Sequence, residues 1–111
     1  MAIARDMEFH YDVAEAQETG GPRTTIHCHG RLVNSTVGQV KELVKPLLAR
    51  SGRIVLDCAD LQFLDSSGLG ALVGLKISAL HQGQVRLELA NPPSWMKDLL
   101  SNTNLMQLFG S

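Results

Sequence analysis

Charge of one sign is scarce in this chain. Ten Lys and Arg stand against eleven Asp and Glu over 111 residues, a formal net charge of −1, with no basic run. Nucleic-acid binding draws on a cationic surface that displaces counterions from phosphates, so no direct nucleic-acid contact is expected. Long apolar runs are missing, and no membrane insertion is expected. The opening residues, MAIARDMEFHYD, turn acidic and polar too soon for a secretory signal, which points to the cytoplasm and reduced thiols. The two cysteines, Cys28 and Cys58, are too few for a disulfide framework and match no zinc spacing. Internal repeats and low-complexity tracts are absent. What is present is 44% hydrophobic residues with 19% charged, enough for a core, in a length that fits one domain.

The pattern along the chain predicts a single α/β domain, residues 1–111, with a small mixed sheet of four to five strands covered by helices. MEFHYDV and RTTIHCHG read as a hairpin over 7–29, joined by a polar surface turn over 14–23. A helix is expected over about 35–50, with Val33, Val37, Val40, Val44 and Leu47 on its apolar face and Gly52 as its stop. Thr36 and Gln39 fit a capping box. Pro46 costs about 3 kcal/mol inside a helix, which predicts a kink or an irregular last turn. RIVLDC (53–58) reads as a strand buried on both faces. A loop and helix fill 65–82, regular from Leu69 onward, with Leu69, Leu72, Val73, Ile77 and Leu80 facing the sheet. A strand over 84–90 completes a right-handed crossover. A helix follows over about 94–102 with Ser94 at its N-cap, then a short strand over 105–109.

The run FLDSSGLGAL (63–72) poses the functional question. As a nucleophile, Ser66 needs an adjacent base and a group to orient that base. The pattern G-x-S-x-G is absent, because Leu64 stands at its first glycine, and nothing in the sequence brings His10, His27, His29 or His81 to Ser66. No catalytic residue is assigned, and the chain is not expected to be an enzyme. HCH (27–29) puts two imidazoles on one strand face without a third ligand, so the reading is exposed His27 and His29 with Cys28 in the core, and no metal. The glycines match neither a P-loop nor a dinucleotide fingerprint, and no cofactor is implied.

DSSG fits a helix N-terminus, where Asp and Ser satisfy free N–H groups. The same first turn suits a phosphate, since unpaired N–H groups and the positive dipole end favour negative charge. Steps of four from Ser66 give Gly70, Gly74 and Ser78 on one stripe. Helical glycine costs on the order of 1 kcal/mol against alanine, so the pair needs a use. One use is close packing of a neighbouring helix. The other is a flat strip that lets a partner's backbone approach Ser66.

RIVLDCADLQFLDSSGLGALVGL resembles the core of the STAS domain of bacterial anti-sigma factor antagonists. The likeness extends to the opening hairpin, to GRLVNST, and to SWMKDLLSNTNLMQLF. In that family the serine directly after the aspartate is phosphorylated by a partner that is both anti-sigma factor and serine kinase. Matched by position, that serine is Ser66. The resemblance implies partner switching: the domain binds the anti-sigma factor and frees the sigma factor, loses its partner when Ser66 is phosphorylated, and is reset by a PP2C-type phosphatase. The partner-binding surface expected on this basis comprises Asp65, Ser67, Gly68, Leu69, Gly70 and Gly74 with Asn34, Ser35 and Thr36.

The chain departs from the family in two places. An acidic residue often follows G-x-L in the family, where Val33 and Asn34 stand here, and the family commonly continues into a terminal helix after its last strand. STAS domains also serve as regulatory or scaffold subunits of phospholipid ABC transporters and of stressosome-like complexes. That is the alternative reading.

Overall fold

The computed structural model describes residues 8–50 and 52–110. Strands β1 (His10–Glu18) and β2 (Gly21–Leu32) form an antiparallel hairpin turned by Thr19 and Gly20 alone. The polar segment expected as a turn over 14–23 is therefore mostly strand (Met7 lies outside the described residues). Its charges are held across the fold: Glu15 meets Arg50 at 3.1 Å, and Glu18 meets Arg23 at 2.9 Å and Arg53 at 3.1 Å. A sequence with turn-like composition thus forms an edge strand because its carboxylates find partners on other elements.

Along β2 the alternation is regular. Thr24, Ile26, Cys28, Gly30 and Leu32 are buried, while Arg23, Thr25, His27, His29 and Arg31 are half-buried on the other face. Helix α1 (Val37–Leu48) is shorter than expected and buries Val40, Val44 and Leu48. The Thr36–Gln39 capping box does not form. Instead the Thr36 hydroxyl accepts from the Val33 N–H and donates to the Arg31 carbonyl, both at 2.9 Å, closing the turn out of β2. Pro46 lies in the last turn, and the helix ends two residues later. Gly52 does not stop that helix. It opens β3 with φ +121°, where a Cβ would run into the Pro22 carbonyl oxygen.

Strand β3 (Gly52–Leu64) is twice the expected length. Two register shifts against β2 explain why. His27 faces Asp57 but His29 faces Asp60, and Gly30 faces Leu61 but Arg31 faces Phe63, so each shift inserts one extra residue in β3. Bulges break the period of two, so ADLQFL does not alternate in sequence although Leu61 and Leu64 reach the core. Nor is β3 sandwiched between helices. Its second face carries Arg53 and Asp57 in ionic contacts with Glu18, Glu88 and His27.

Helix α2 (Ser66–Gln82) ends at Gly83, which takes a left-handed φ of 76° and returns its N–H to the Ala79 carbonyl. Strand β4 (Val85–Ala90) follows, with Val85 and Leu87 buried. In helix α3 (Ser94–Asn102) Pro93 rather than Ser94 occupies the N-cap position, without a side-chain cap, and Met96 and Leu100 are buried. The strand expected over 105–109 is instead helix α4 (Met106–Gly110). Asn104, with φ 59°, reverses the chain, and the Leu105 N–H bonds back to the Leu100 carbonyl at 2.8 Å. Leu105 and Phe109, one helical turn apart, then both pack on the core.

Among the described residues, four strands and four helices make one α/β unit with sheet order β1-β2-β3-β4. β1 is antiparallel to β2, whereas β2, β3 and β4 run parallel. One sheet face and the helices enclose Ile26, Leu32, Val40, Val44, Ile54, Leu56 and Leu87. Cys28 and Cys58 are free thiols in this core. Burial pushes the Cys28 thiol up to about 12 and Cys58 higher still, so both remain protonated and inert.

Lys76 of α2 is 2% exposed, and its Nζ donates to the Leu87 carbonyl at 2.8 Å. Desolvation lowers its pKa below the ordinary lysine value. The unfolded chain then holds that proton more tightly than the folded one, so Lys76 makes folding more favourable as pH rises toward the lysine range. Replacing Lys76 by Met should flatten that dependence, read as the difference in urea midpoint between wild type and Lys76→Met at neutral and alkaline pH.

Candidate functional site

The site forms where β3 hands the chain to α2 through a single residue, Asp65. Its backbone is extended, with φ −97° and ψ −173°, and its carboxylate is the N-cap of α2. Oδ1 accepts the Gly68 N–H at 2.8 Å, and Oδ2 accepts the Asn34 N–H of the β2–α1 turn at 3.0 Å. The Asp65 N–H reaches the Leu32 carbonyl at 3.4 Å, tying the junction to the end of β2. Donation from Gly68, followed by Asn34 and Ser67, outweighs partial burial and holds the Asp65 carboxyl below the usual aspartate value. The carboxylate is therefore fixed in place and charged.

Gly68 explains how the segments come so close. A Cβ there would collide with the Leu32 carbonyl oxygen, so only glycine lets the first turn of α2 lie on the end of β2. Gly68 is buried, Thr36 is 7% exposed and Leu69 is half-buried: these three expected contact residues lie behind the surface and support it. The outer layer is Ser66, exposed on the first turn, with Asn34 and Ser35 exposed beside it across the Asp65 carboxylate. Ser67 differs from its neighbour, being half-buried with its hydroxyl donating to Asn34 Oδ1 at 3.3 Å. Of the two serines, Ser66 is the one open to solvent.

Ser66, Gly70, Gly74 and Ser78 are all exposed, as one stripe. An added Cβ at Gly70 or Gly74 would meet nothing within 4 Å, so these glycines do not serve helix–helix packing. The buried face of α2 is Gly68, Ala71, Leu72, Leu75, Lys76 and Ala79, not the set expected from sequence. Ile77 and Leu80 are turned outward, 44% and 52% exposed, within two turns of Gly74. The helix is apolar almost all round, so its periodicity does not single out an inner face. Phe63, also 44% exposed, carries the Arg31 guanidinium over its ring at 5.2 Å, just before the junction. Sequence reasoning missed Arg31, Phe63, Ile77 and Leu80. The bulge that exposes Phe63 left no mark in the pattern.

The imidazoles stand elsewhere. His27 Nδ1 lies 3.1 Å from Asp57 Oδ2, and His29 sits between Asp12 and Asp60 at 3.2 and 3.3 Å with the His10 ring stacked on it. His27 and His29 share a face with Cys28 buried opposite, but they are half-buried among carboxylates rather than freely exposed. His81 lies at the far end of α2 from Ser66. Among the described residues, no group of three or more His, Cys, Asp or Glu is arranged to hold a metal ion, and no helix is long and apolar enough to cross a membrane.

The STAS domain model matches residues 13–110. The chain belongs to the STAS domain family. Its fold is similar to that of the anti-sigma factor antagonist SpoIIAA in its unphosphorylated form, with a TM-score of 0.70 at 20% identity over 89% of this chain and 84% of that one. The Bacillus cell fate determinant SpoIIAA in its phosphorylated form matches with a TM-score of 0.68 at 19% identity, over 89% and 87% of the two chains. The murine anion transporter Slc26a9, in its inward-facing state, contains a similar domain, with a TM-score of 0.65 at 16% identity, covering 91% of this chain but 19% of the transporter. No curated protein matches the chain in sequence.

Asp65→Ala should cost about 0.5–2 kcal/mol of stability, the usual range for a lost N-cap. Because the Asp65 pKa is lowered by folding, its ionic contribution is whole above the ordinary aspartate value and lost as pH falls through the lower, folded one. The stability gap between wild type and variant should accordingly narrow below about pH 4 in urea titrations. Gly74→Ala, by contrast, should stabilise by up to about 1 kcal/mol, seen as a raised thermal midpoint, because the new methyl group enters open space on a helix.

Proposed function

We propose that this STAS domain is an anti-sigma factor antagonist that acts by partner switching. It binds an anti-sigma factor that is also a serine kinase, frees the sigma factor for transcription, and is released when Ser66 is phosphorylated. A PP2C-type phosphatase restores the binding state. This reading places the protein in a bacterial cytoplasm. The observation that carries it is the exposed Ser66 hydroxyl on the first turn of α2, next to an Asp65 carboxylate already committed to two backbone donors.

A phosphate on Ser66 adds about −1.5 to −2 charge beside that carboxylate. The core does not need to move, since Ser66 is exposed on the first turn of α2. What changes is the docking surface, where unpaired negative charge becomes costly to cover. The exposed strip of Gly70 and Gly74, flanked by Ile77 and Leu80, gives a partner a close and partly apolar approach to the same hydroxyl. The likeness to SpoIIAA in both phosphorylated and unphosphorylated forms is consistent with a fold that carries the modification without rearranging.

The similarity to the Slc26a9 domain favours a second reading, a STAS regulatory or scaffold subunit of a transporter, such as a phospholipid ABC transporter, or of a stressosome-like complex. The two readings separate on one experiment. Under the first, incubation with the cognate anti-sigma kinase puts a phosphate on Ser66, read by mass spectrometry. Ser66→Asp then weakens binding to that kinase at least about tenfold, or ~1.4 kcal/mol, while Ser66→Ala binds and stays bound. No phosphate at Ser66, or equal binding by Ser66→Asp, overturns it.

A further inference from the structure

We propose that the free edge of β1 is a self-association surface, on which two copies of the chain pair antiparallel about a two-fold axis at Ala14. β1 is the first strand of the sheet order, and among the described residues no strand lies on its outer side. The direction of its backbone groups follows from Pro22. Proline has no N–H to give β1, and the Pro22 carbonyl points at Gly52 of β3. Even-numbered residues of β2 therefore turn their backbone groups to β3, and Arg23, Thr25, His27 and His29 turn theirs to β1. Their register partners Ala16, Ala14, Asp12 and His10 bond inward. Tyr11, Val13, Glu15 and Gln17 are left with N–H and C=O groups facing solvent.

Among the described residues nothing blunts this edge. β1 is nine residues long, holds no Lys and no Pro, and pairs with β2 without a bulge. Its acids would normally repel a second copy, but each is engaged within its own chain. Asp12 meets His29 at 3.2 Å, Glu15 meets Arg50 at 3.1 Å, and Glu18 meets Arg23 and Arg53. Tyr11 and Val13, 40% and 46% exposed, stand on the uncovered strand.

The register follows from the same groups. An axis at Ala14 sets Val13 opposite Glu15 and Tyr11 opposite Gln17 of the second copy, so every outward amide and carbonyl from Tyr11 to Gln17 is used. Ala14 then faces its own copy in a non-hydrogen-bonded pair, the closest spacing in such a ladder, where a methyl group fits. His10 lies opposite Glu18 and Asp12 opposite Ala16, so no acid faces an acid. The two Val13 side chains become diagonal neighbours on one face, as do the two Glu15 side chains, each held by Arg50 of its own chain at 3.1 Å. An axis at Glu15 would set that carboxylate against itself, and one at Val13 would leave Gln17 unpaired within the two strands. The proposal does not depend on the Ser66 reading, since the pairing leaves the Asp65–Ser66 junction untouched.

Sedimentation velocity of the full chain over a range of concentrations tests it. The wild type should run as a concentration-dependent dimer. Val13→Pro removes an outward donor that the hairpin does not use, so the variant should keep its far-ultraviolet circular dichroism spectrum and run as a monomer. Ala14→Cys should form a covalent dimer on air oxidation, read on a non-reducing gel, while Ala16→Cys should not. The native cysteines are buried and silent in this assay. A wild type that stays monomeric at every concentration overturns the proposal, as does a dimer that survives in a folded Val13→Pro. If Val13→Pro fails to fold, the Ala14→Cys cross-link decides alone, and its absence overturns the proposal.

Discussion

The Asp65 carboxylate is the interaction on which this structure turns. A strand and a helix normally need a loop between them, yet here one residue bridges β3 and α2. Two backbone donors make that possible: the Gly68 N–H, which would otherwise be an orphan of the helix N-terminus, and the Asn34 N–H, which belongs to a different segment. One side chain thus caps a helix and pins the β2–α1 turn to it. Gly68 permits the approach by leaving room for the Leu32 carbonyl. Ser66 owes its position to this arrangement, because it follows a fixed residue and precedes the half-buried Ser67 and the buried Gly68.

The rest of the sheet follows a division between two faces. One face is apolar and carries the helices. The other is an ionic layer in which Arg23, Arg53 and Glu88 knit β1, β2, β3 and β4 together, with His27 and His29 set among aspartates. Partly exposed ion pairs contribute little each, typically under about 1 kcal/mol, so this layer sets register and solubility more than stability. The two bulges in β3 lie on this sheet between the layers. By adding residues to one strand only, they carry Phe63 to the surface and deliver Leu64 to the core directly before the junction.

Helix α2 joins the two themes. Its inner face is built from small residues, Gly68, Ala71 and Ala79, with Leu72, Leu75 and the aliphatic stem of Lys76 filling the space between. That inner face lets the helix lie close to the sheet. Its outer face spends helix propensity on Gly70 and Gly74 and leaves Ile77 and Leu80 in water. Neither choice helps the isolated domain fold. Both leave an apolar, side-chain-poor patch exposed, with the Ser66 hydroxyl at its margin.

The strongly alternating and long periodic segments were legible in sequence: β2, α1, β4 and the existence of α2 follow from residue pattern, and the DSSG run places the helix start and the hydroxyl of interest. The turn over 14–23, the end of β3 and the strand over 105–109 were misread, each because tertiary contacts overrode local composition. Glu15 and Glu18 stay in a strand because Arg50, Arg23 and Arg53 reach them; β3 continues past Cys58 because two bulges let it keep pairing with β2 and still bring Leu61 and Leu64 to the core; Leu105 and Phe109 join a helix because the core lies on one side of them. Likewise the sequence alone determined that α2 would be apolar and begin near Ser66. Only the packed sheet decided which side of it turns inward, since a helix greasy on all faces is oriented by what its neighbours can cover.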